Sequence, residues 1–431
     1  MIKNSHNLRT RVAVREVHIE QLESGLVNLE GYQRALVVFR WRGAVVGQAW
    51  LSVMGGHIHS ERLRACLPSV AWPVWQQLFL QERDSAKSLP TASIVVCTRD
   101  RTEELAQCLP GLHKLAEQGH EVIVVDSCPS DDSTARLLAN YQKFRYVLEP
   151  RPGLNIARNR GLQNSTSEIV AFTDDDAQVD SGWLPALLQN FDDPIVAIVT
   201  GITMPLELET EAQQWFEWTN GFGCGFIRKQ FDTTNSSVFA AGGVGAGVNM
   251  AIRRSAIEHI GLFDNSLDCG TLSRTGGDQE YFYRTLSRGY RIVYEPAALV
   301  WHRHRREWSA LRNCIYGYGV GLFAWWTRCL LVEKEFTLLK VAPSWFWQHH
   351  VRNLVRALLK RPGHLPLDLA LSDFFGALTG PINYIRSRRK MRSLEYTEEM
   401  SQKTTLGFNK ISIPATSQVR IKPLVQNIKV Q

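Results

Sequence analysis

No stretch of the 431-residue chain reaches the ~20 uninterrupted apolar residues that a membrane-spanning helix needs. The nearest are Tyr316 to Val332, with Arg328 near its end, and Leu365 to Ile385, which holds Asp368, Asp373 and Pro381. Both are expected to be buried or interfacial helices. Behind the basic amino terminus MIKNSHNLRTRVAV there is no apolar core of the ~7–15 residues that define a secretory signal. The eight cysteines stand singly, without a C-x-x-C pair or regular ligand spacing, so neither a zinc site nor a disulfide framework is indicated. A cytoplasmic location is the expectation. The glycine-dense stretch Gly242 to Asn249 lacks the Lys-Ser/Thr ending of a phosphate loop and reads instead as backbone lining a cleft.

What is present is the composition of a folded globular protein, 44% hydrophobic and 21% charged, long enough for two or three units. The net charge of +7 is uneven, since His302 to Gln431 carries 21 Lys+Arg against 8 Asp+Glu. Such a basic segment suits an anionic surface or a plain solvated face. Four stretches emerge. Residues 1–89 form a small β-containing module, with Ala35 to Phe39 and Val45 to Val53 as a hairpin turned at Trp41-Arg42-Gly43. Residues 90–308 alternate strand and helix signals. Residues 309–395 are helical, basic and aromatic-rich, and 396–431 read as a flexible tail.

The alternation begins with the apolar strand from Ser93 to Cys97 and a helix from Thr102. It continues with the strand Glu121 to Val125, a helix near Asp132, the helix Ile156 to Gln163 and the strand Glu168 to Phe172. That pattern predicts an α/β, Rossmann-like fold with a mainly parallel sheet. Ligands of such sheets bind beyond the carboxyl ends of the strands, so Thr98, Arg99, Asp126 and the triplet Asp174-Asp175-Asp176 converge on one crevice. Three adjacent carboxylates repel one another, and a hard cation such as Mg²⁺ or Mn²⁺ neutralises them while bridging a diphosphate. A solvated turn capping the next helix is the plainer reading of the same triplet.

The segments SIVVCTRD (93–100), VIVVDSCPSDDST (122–134), GLNIARNRG (153–161), IVAFTDDD (169–176) and GGDQEYFYR (276–284) together resemble the ordered motifs of glycosyltransferase family 2. The resemblance spans about half the chain. It implies a GT-A fold and an inverting transfer of a sugar from a nucleotide-sugar donor to an acceptor hydroxyl, supported by Mg²⁺ or Mn²⁺. By that resemblance Asp174 and Asp176 form the D-x-D element, with Asp176 on the metal and Asp174 near metal or ribose. Asp126 faces the nucleobase, although Ser127 stands where relatives have a second acid or an amide. Arg158, in preference to Arg160, meets the diphosphate with Thr98, Arg99 and Asp175 nearby. Asp278 is the general base, in a segment where Gly277 replaces the usual Glu, and Glu280 is a supporting acid. His302 completes the metal shell in some similar enzymes, although in the basic run His302-Arg303-His304-Arg305-Arg306 it equally suits binding phosphate or plain exposure. Trp215, Phe216, Trp218 and Phe222 are either sugar-stacking faces or, more plainly, core.

A nucleotidyltransferase acting on a sugar phosphate is the competing enzyme class, but it needs a glycine-rich loop after the first strand, where this chain has Cys97-Thr98-Arg99-Asp100-Arg101-Thr102. A non-catalytic carbohydrate-binding relative is the third reading. The expected acceptor is a glycan, a polysaccharide or a lipid-linked sugar, with no nucleic-acid partner. The helices after Ser309 suit peripheral contact with the inner face of a membrane, or simple packing on the catalytic domain.

Overall fold

The structure is a computed structural model that describes residues 10–84, 89–235, 239 and 243–408. Of these, the residues up to Ser387 form one compact unit and those from Arg388 on form a second.

The amino-terminal sheet has three strands, β1 (Val12–His18), β2 (Arg34–Trp41) and β3 (Ala44–Ser52). β1 runs parallel to β2, and β2 and β3 form the antiparallel hairpin. Its two-residue turn is Arg42-Gly43, with φ of 46° and 87°, the left-handed geometry that matches strand twist in tight hairpins. The helix Leu67–Asp84 packs on this sheet, and Val70 joins the core that it shares with Val37, Phe39 and Val46. Val38 and Val45, on the other face, bury against Ile202, Met204 and Leu299 of the main sheet. The Arg40 guanidinium also reaches Asp180, with a 3.1 Å hydrogen bond.

The main sheet has nine strands: β4 (Ala92–Thr98), β5 (Glu121–Ser127), β6 (Phe144–Glu149), β7 (Ile169–Asp174), β8 (Ala177–Val179), β9 (Val196–Pro205), β10 (Lys229–Phe231), β11 (Asn249–Arg253) and β12 (Arg291–His302). Their order is β10-β12-β9-β11-β7-β4-β5-β6, with β8 added to β12. The strands β4 to β7 pair in parallel, as do β9 and β12. β11 is antiparallel to both β7 and β9, so these two point the same way and the sheet is mostly parallel. Helices cover both faces, and for that reason β4 and β5 read as continuous apolar runs rather than alternating ones. Val95 and Ile123 belong to one core, while their neighbours Ile94, Val96, Val122 and Val124 belong to the other.

After β12 the chain forms the helix Trp308–Arg328, three short helical segments between Leu338 and Leu358, and the helix Leu367–Phe408. The first and last of these cross through glycines. A Cβ on Gly319 would lie 2.4 Å from the Asp373 carbonyl oxygen, and one on Gly376 would lie 2.3 Å from that of Tyr316. Only hydrogen side chains permit this backbone contact. Among the described residues no helix is long and apolar enough to cross a membrane. The final helix continues through Phe408, twelve residues past the point where the sequence suggested a tail, because no proline or glycine interrupts residues 382–406. The rest of that expected tail lies outside the described residues.

Candidate functional site

The carboxyl ends of β4, β5 and β7 open onto a cavity of about 1100 Å³. Thr98 and Arg99 line it from the end of β4, Asp174, Asp175 and Asp176 from the end of β7, and Arg158 from the helix Leu154–Asn164. Asp278 enters from the first turn of the helix Gly277–Ser287. His302 arrives from a distant part of the sequence by a simple device. β8 follows the acidic triplet directly and pairs antiparallel with the end of β12, setting His302 opposite Ala177 and therefore beside Asp176. The Arg303 N–H donates to the Asp176 carbonyl at 3.0 Å and locks that register.

Asp174, Asp176 and His302 each offer one ligand atom, and all of these lie within 4.8 Å of one another. His302 Nε2 is 3.2 Å from Asp176 Oδ1, yet among the described residues that buried oxygen takes part in no hydrogen bond. Two carboxylates and an imidazole facing a common point suit a divalent ion such as Mn²⁺. The other ring nitrogen continues a chain: His302 Nδ1 is 3.1 Å from His304 Nδ1, and His304 Nε2 is 3.0 Å from Glu217 Oε2. If His304 donates its Nε2–H to Glu217, its Nδ1 must accept from His302, and that leaves the Nε2 lone pair of His302 for the ion. Such outer partners commonly fix the tautomer of a metal-binding histidine. This order of donors requires the ionised form of Glu217, whose carboxyl burial pushes up to about 8, and burial holds His304 well below the ordinary histidine range.

The acidic triplet divides its work. Asp175 accepts from Thr98 Oγ1 at 2.8 Å and from Arg101 at 2.6 Å, and burial still pushes it up to about 7. These bonds turn Asp175 and Thr98 toward each other. Burial works against ionisation of Asp176, but His302, Arg101 and Arg305 hold its pKa below the usual carboxylate range. Asp174 is raised, by burial first and by Asp176 among its neighbours, against the pull of Arg158.

Arg158 is buried and donates to Asp268 at 2.9 Å. The Asp268 carboxyl is pushed up to about 6, by burial and then by the nearby Asp278, against the attraction of Arg158. Asp278 accepts the Gly247 N–H at 2.8 Å through Oδ2 and the Gln279 N–H at 2.8 Å through Oδ1. A Cβ on Gly247 would lie 2.6 Å from the Arg158 guanidinium and 3.2 Å from Asp278 Cβ, so this position has no room for a side chain. The neighbouring Gly243, Gly245 and Val248 also line the cavity.

Not every expected residue is in the cavity. Glu280 is a correction: it is fully buried in the core, where it accepts from Arg284 at 2.6 and 2.9 Å and pairs with Arg328 at 2.9 Å. Two residues along a helix is a rotation of about 200°, so Glu280 must face away from Asp278. Arg160 is exposed for a similar reason. Asp126 is fully buried at the end of β5 and lies just behind the cavity, which Ser127 lines. Its Oδ2 accepts from Tyr146 at 3.0 Å, whereas Oδ1 has no hydrogen-bond partner. Phe216 and Phe222 do line the cavity, and both pack on His304, at 4.5 and 6.2 Å between ring centroids. Arg101, Glu217, Asp268, His304 and Arg305 were not picked out from the sequence. The run His302-Arg303-His304-Arg305 was visible there, but only the pairing of β8 with β12 shows which of its side chains turn inward.

Residues 93–261 match the model of Glycosyl transferase family 2. Over 245 residues the chain is 31% identical to the pre-mycofactocin glycosyltransferase of Mycobacterium tuberculosis, with 54% of this chain and 47% of that protein covered. It thus spans about half the length of that relative. Over 293 residues it is 25% identical to the glycosyltransferase AglE of Haloferax volcanii, covering 65% of this chain and 86% of that one. A mannosyltransferase from Pyrobaculum calidifontis, solved with GDP-Man and Mn²⁺, aligns with a TM-score of 0.41 and 15% identity over 78% of this chain and 88% of its own. From Ser93 to Gly261, across the strands that end in the acidic triplet, the chain is similar to glycosyl transferase family 2.

Proposed function

We infer that the protein transfers a sugar from a nucleoside diphosphate donor to an acceptor hydroxyl, with inversion at the anomeric carbon. The observation that carries this reading is the meeting, in one cavity, of the Asp174, Asp176 and His302 ligand set with Asp278. Asp174, Asp176 and His302 would hold the ion. Bound there, Mg²⁺ or Mn²⁺ supplies charge neutralisation for the diphosphate. Arg158 and Arg305 add fixed positive charge on the cavity wall, where anionic oxygens gain most from preset partners.

Asp278 is suited to the base by what it does not touch. Asp175 and Asp176 pair with Arg101, and Asp268 pairs with Arg158. A carboxylate paired with a guanidinium is a poor proton acceptor, whereas each oxygen of Asp278 takes one backbone N–H and keeps lone-pair capacity. In the reaction the acceptor O–H proton passes to Asp278 as the acceptor oxygen bonds to the anomeric carbon. The bond from that carbon to the diphosphate oxygen breaks, and its electron pair leaves with the nucleoside diphosphate.

Calorimetric titration with a panel of nucleoside diphosphates, with and without Mn²⁺, tests this reading. Metal-dependent binding of one diphosphate that disappears in Asp176→Ala is the expected result. Binding with no dependence on metal would refute the assigned ligand set, and no binding of any diphosphate would favour the non-catalytic carbohydrate-binding reading.

A further inference from the structure

The cavity does not end at Asp278. It continues past Tyr318 and Leu322 to a far wall made by Trp325, Trp326, Trp345, His350 and Asp373, all from helices beyond the family 2 segment. The near and far parts are joined at Gly276, two residues before Asp278. A Cβ on Gly276 would lie 3.2 Å from Cδ1 of the Trp325 ring, so the segment that holds the proposed base rests directly on the first indole of the far wall.

This wall combines apolar rings with polar atoms that have no use inside the protein. Trp325, Trp326 and His350 are 1%, 4% and 5% exposed, and Trp325 Nε1, Trp326 Nε1 and His350 Nε2 are buried without a hydrogen-bond partner among the described residues. Buried polar groups are nearly always hydrogen-bonded, so three unmatched ones together at one cavity end point to a missing ligand. The atom types narrow its chemistry. Indole nitrogens only donate. His350 Nδ1 lies 2.7 Å from Asp373 Oδ2, which places a proton on Nδ1 and, in the neutral imidazole, leaves Nε2 as an acceptor. Two donors and one acceptor beside flat aromatic faces match hydroxyl groups on a ring with an apolar face. They do not match a phosphate. Among the described residues of the far wall there is no lysine or arginine, and Asp373 adds negative charge, whereas Arg99, Arg101, Arg158 and Arg305 lie at the donor end.

We propose that this far wall is an acceptor subsite for a neutral saccharide ring, held by Trp325, Trp326 and His350 with its reacting hydroxyl directed back toward Asp278. The assignment of a direction for the acceptor rests on the glycosyl-transfer reading; the saccharide site itself does not.

Saturation-transfer NMR of the whole protein with methyl glycosides of common hexoses and N-acetylhexosamines, without metal or nucleotide, tests the site. At least one glycoside should bind, and Trp326→Phe, which removes only the indole N–H and part of the ring, should weaken it about fivefold or more. His350→Gln should weaken it about tenfold. The diphosphate titration of the same variants reports on the donor end separately, so failure of the donor reading leaves glycoside binding intact. Absence of binding by every glycoside overturns the proposal, as does binding that neither variant affects. A polyprenyl monophosphate that binds while the glycosides do not would assign the far wall to a lipid phosphate and likewise overturn it.

Discussion

Replacing Glu280 by glutamine separates a structural acid from a catalytic one. The carboxylate is fully buried, with two hydrogen bonds from Arg284 and an ion pair with Arg328, itself only 7% exposed. Glutamine keeps the shape but turns one acceptor into a donor that faces a guanidinium, and it leaves two buried cations sharing less negative charge. Removing one partner of a buried pair typically costs about 3–5 kcal/mol, and the lower end applies here because Glu333 still reaches Arg328. At about 2–3 °C per kcal/mol for a unit of this size, about 3 kcal/mol lowers Tm by roughly 6–9 °C. Thermal unfolding followed by circular dichroism measures this, with donor hydrolysis measured well below the transition. Turnover per folded molecule should stay near wild type. A Tm within about 2 °C of wild type together with a tenfold fall in turnover would refute the reasoning and return Glu280 to the chemistry.

Asp278→Asn should lower turnover by about 10²-fold or more while diphosphate affinity stays unchanged, as expected when a general base is lost; near wild-type turnover removes it from that role. His304→Phe preserves the ring against Phe216 and Phe222 but breaks the chain from Glu217 to His302. Affinity for Mn²⁺, read from the metal dependence of diphosphate binding, should fall about 10–100-fold, and an unchanged metal titration would count against the tautomer argument. Gly376→Ala places a methyl group 2.3 Å from the Tyr316 carbonyl oxygen and forces two helix backbones apart. A loss of about 1–3 kcal/mol should appear as a lower Tm, and an unchanged Tm would mean that the crossing is not close.

Much of the donor half of this molecule follows from local sequence. Apolar runs such as Ser93 to Cys97 and Glu121 to Val125 can only be strands buried on both faces, and polar residues at their ends must then lie along one edge. Hence Thr98, Arg99 and the triplet Asp174-Asp175-Asp176 share one crevice on sequence grounds, whereas Arg158 joins them only through the family 2 resemblance. Glu280 was misjudged because closeness in sequence was taken for closeness in space, when a helix turns neighbours two apart to opposite sides. His304 and Glu217 were missed because 87 residues separate them and neither sits in a motif.

By itself the sequence determined the α/β sheet, the crevice at its strand ends and the acids that meet there, since strand periodicity and chain direction are local properties. The tertiary structure alone decided which nitrogen of His302 faces Asp176, that Asp268 holds Arg158, and that helices beyond the family 2 segment close the cavity with Trp325, Trp326 and His350. Each of those depends on contacts between segments far apart in the chain, and such contacts leave no periodic trace in the sequence.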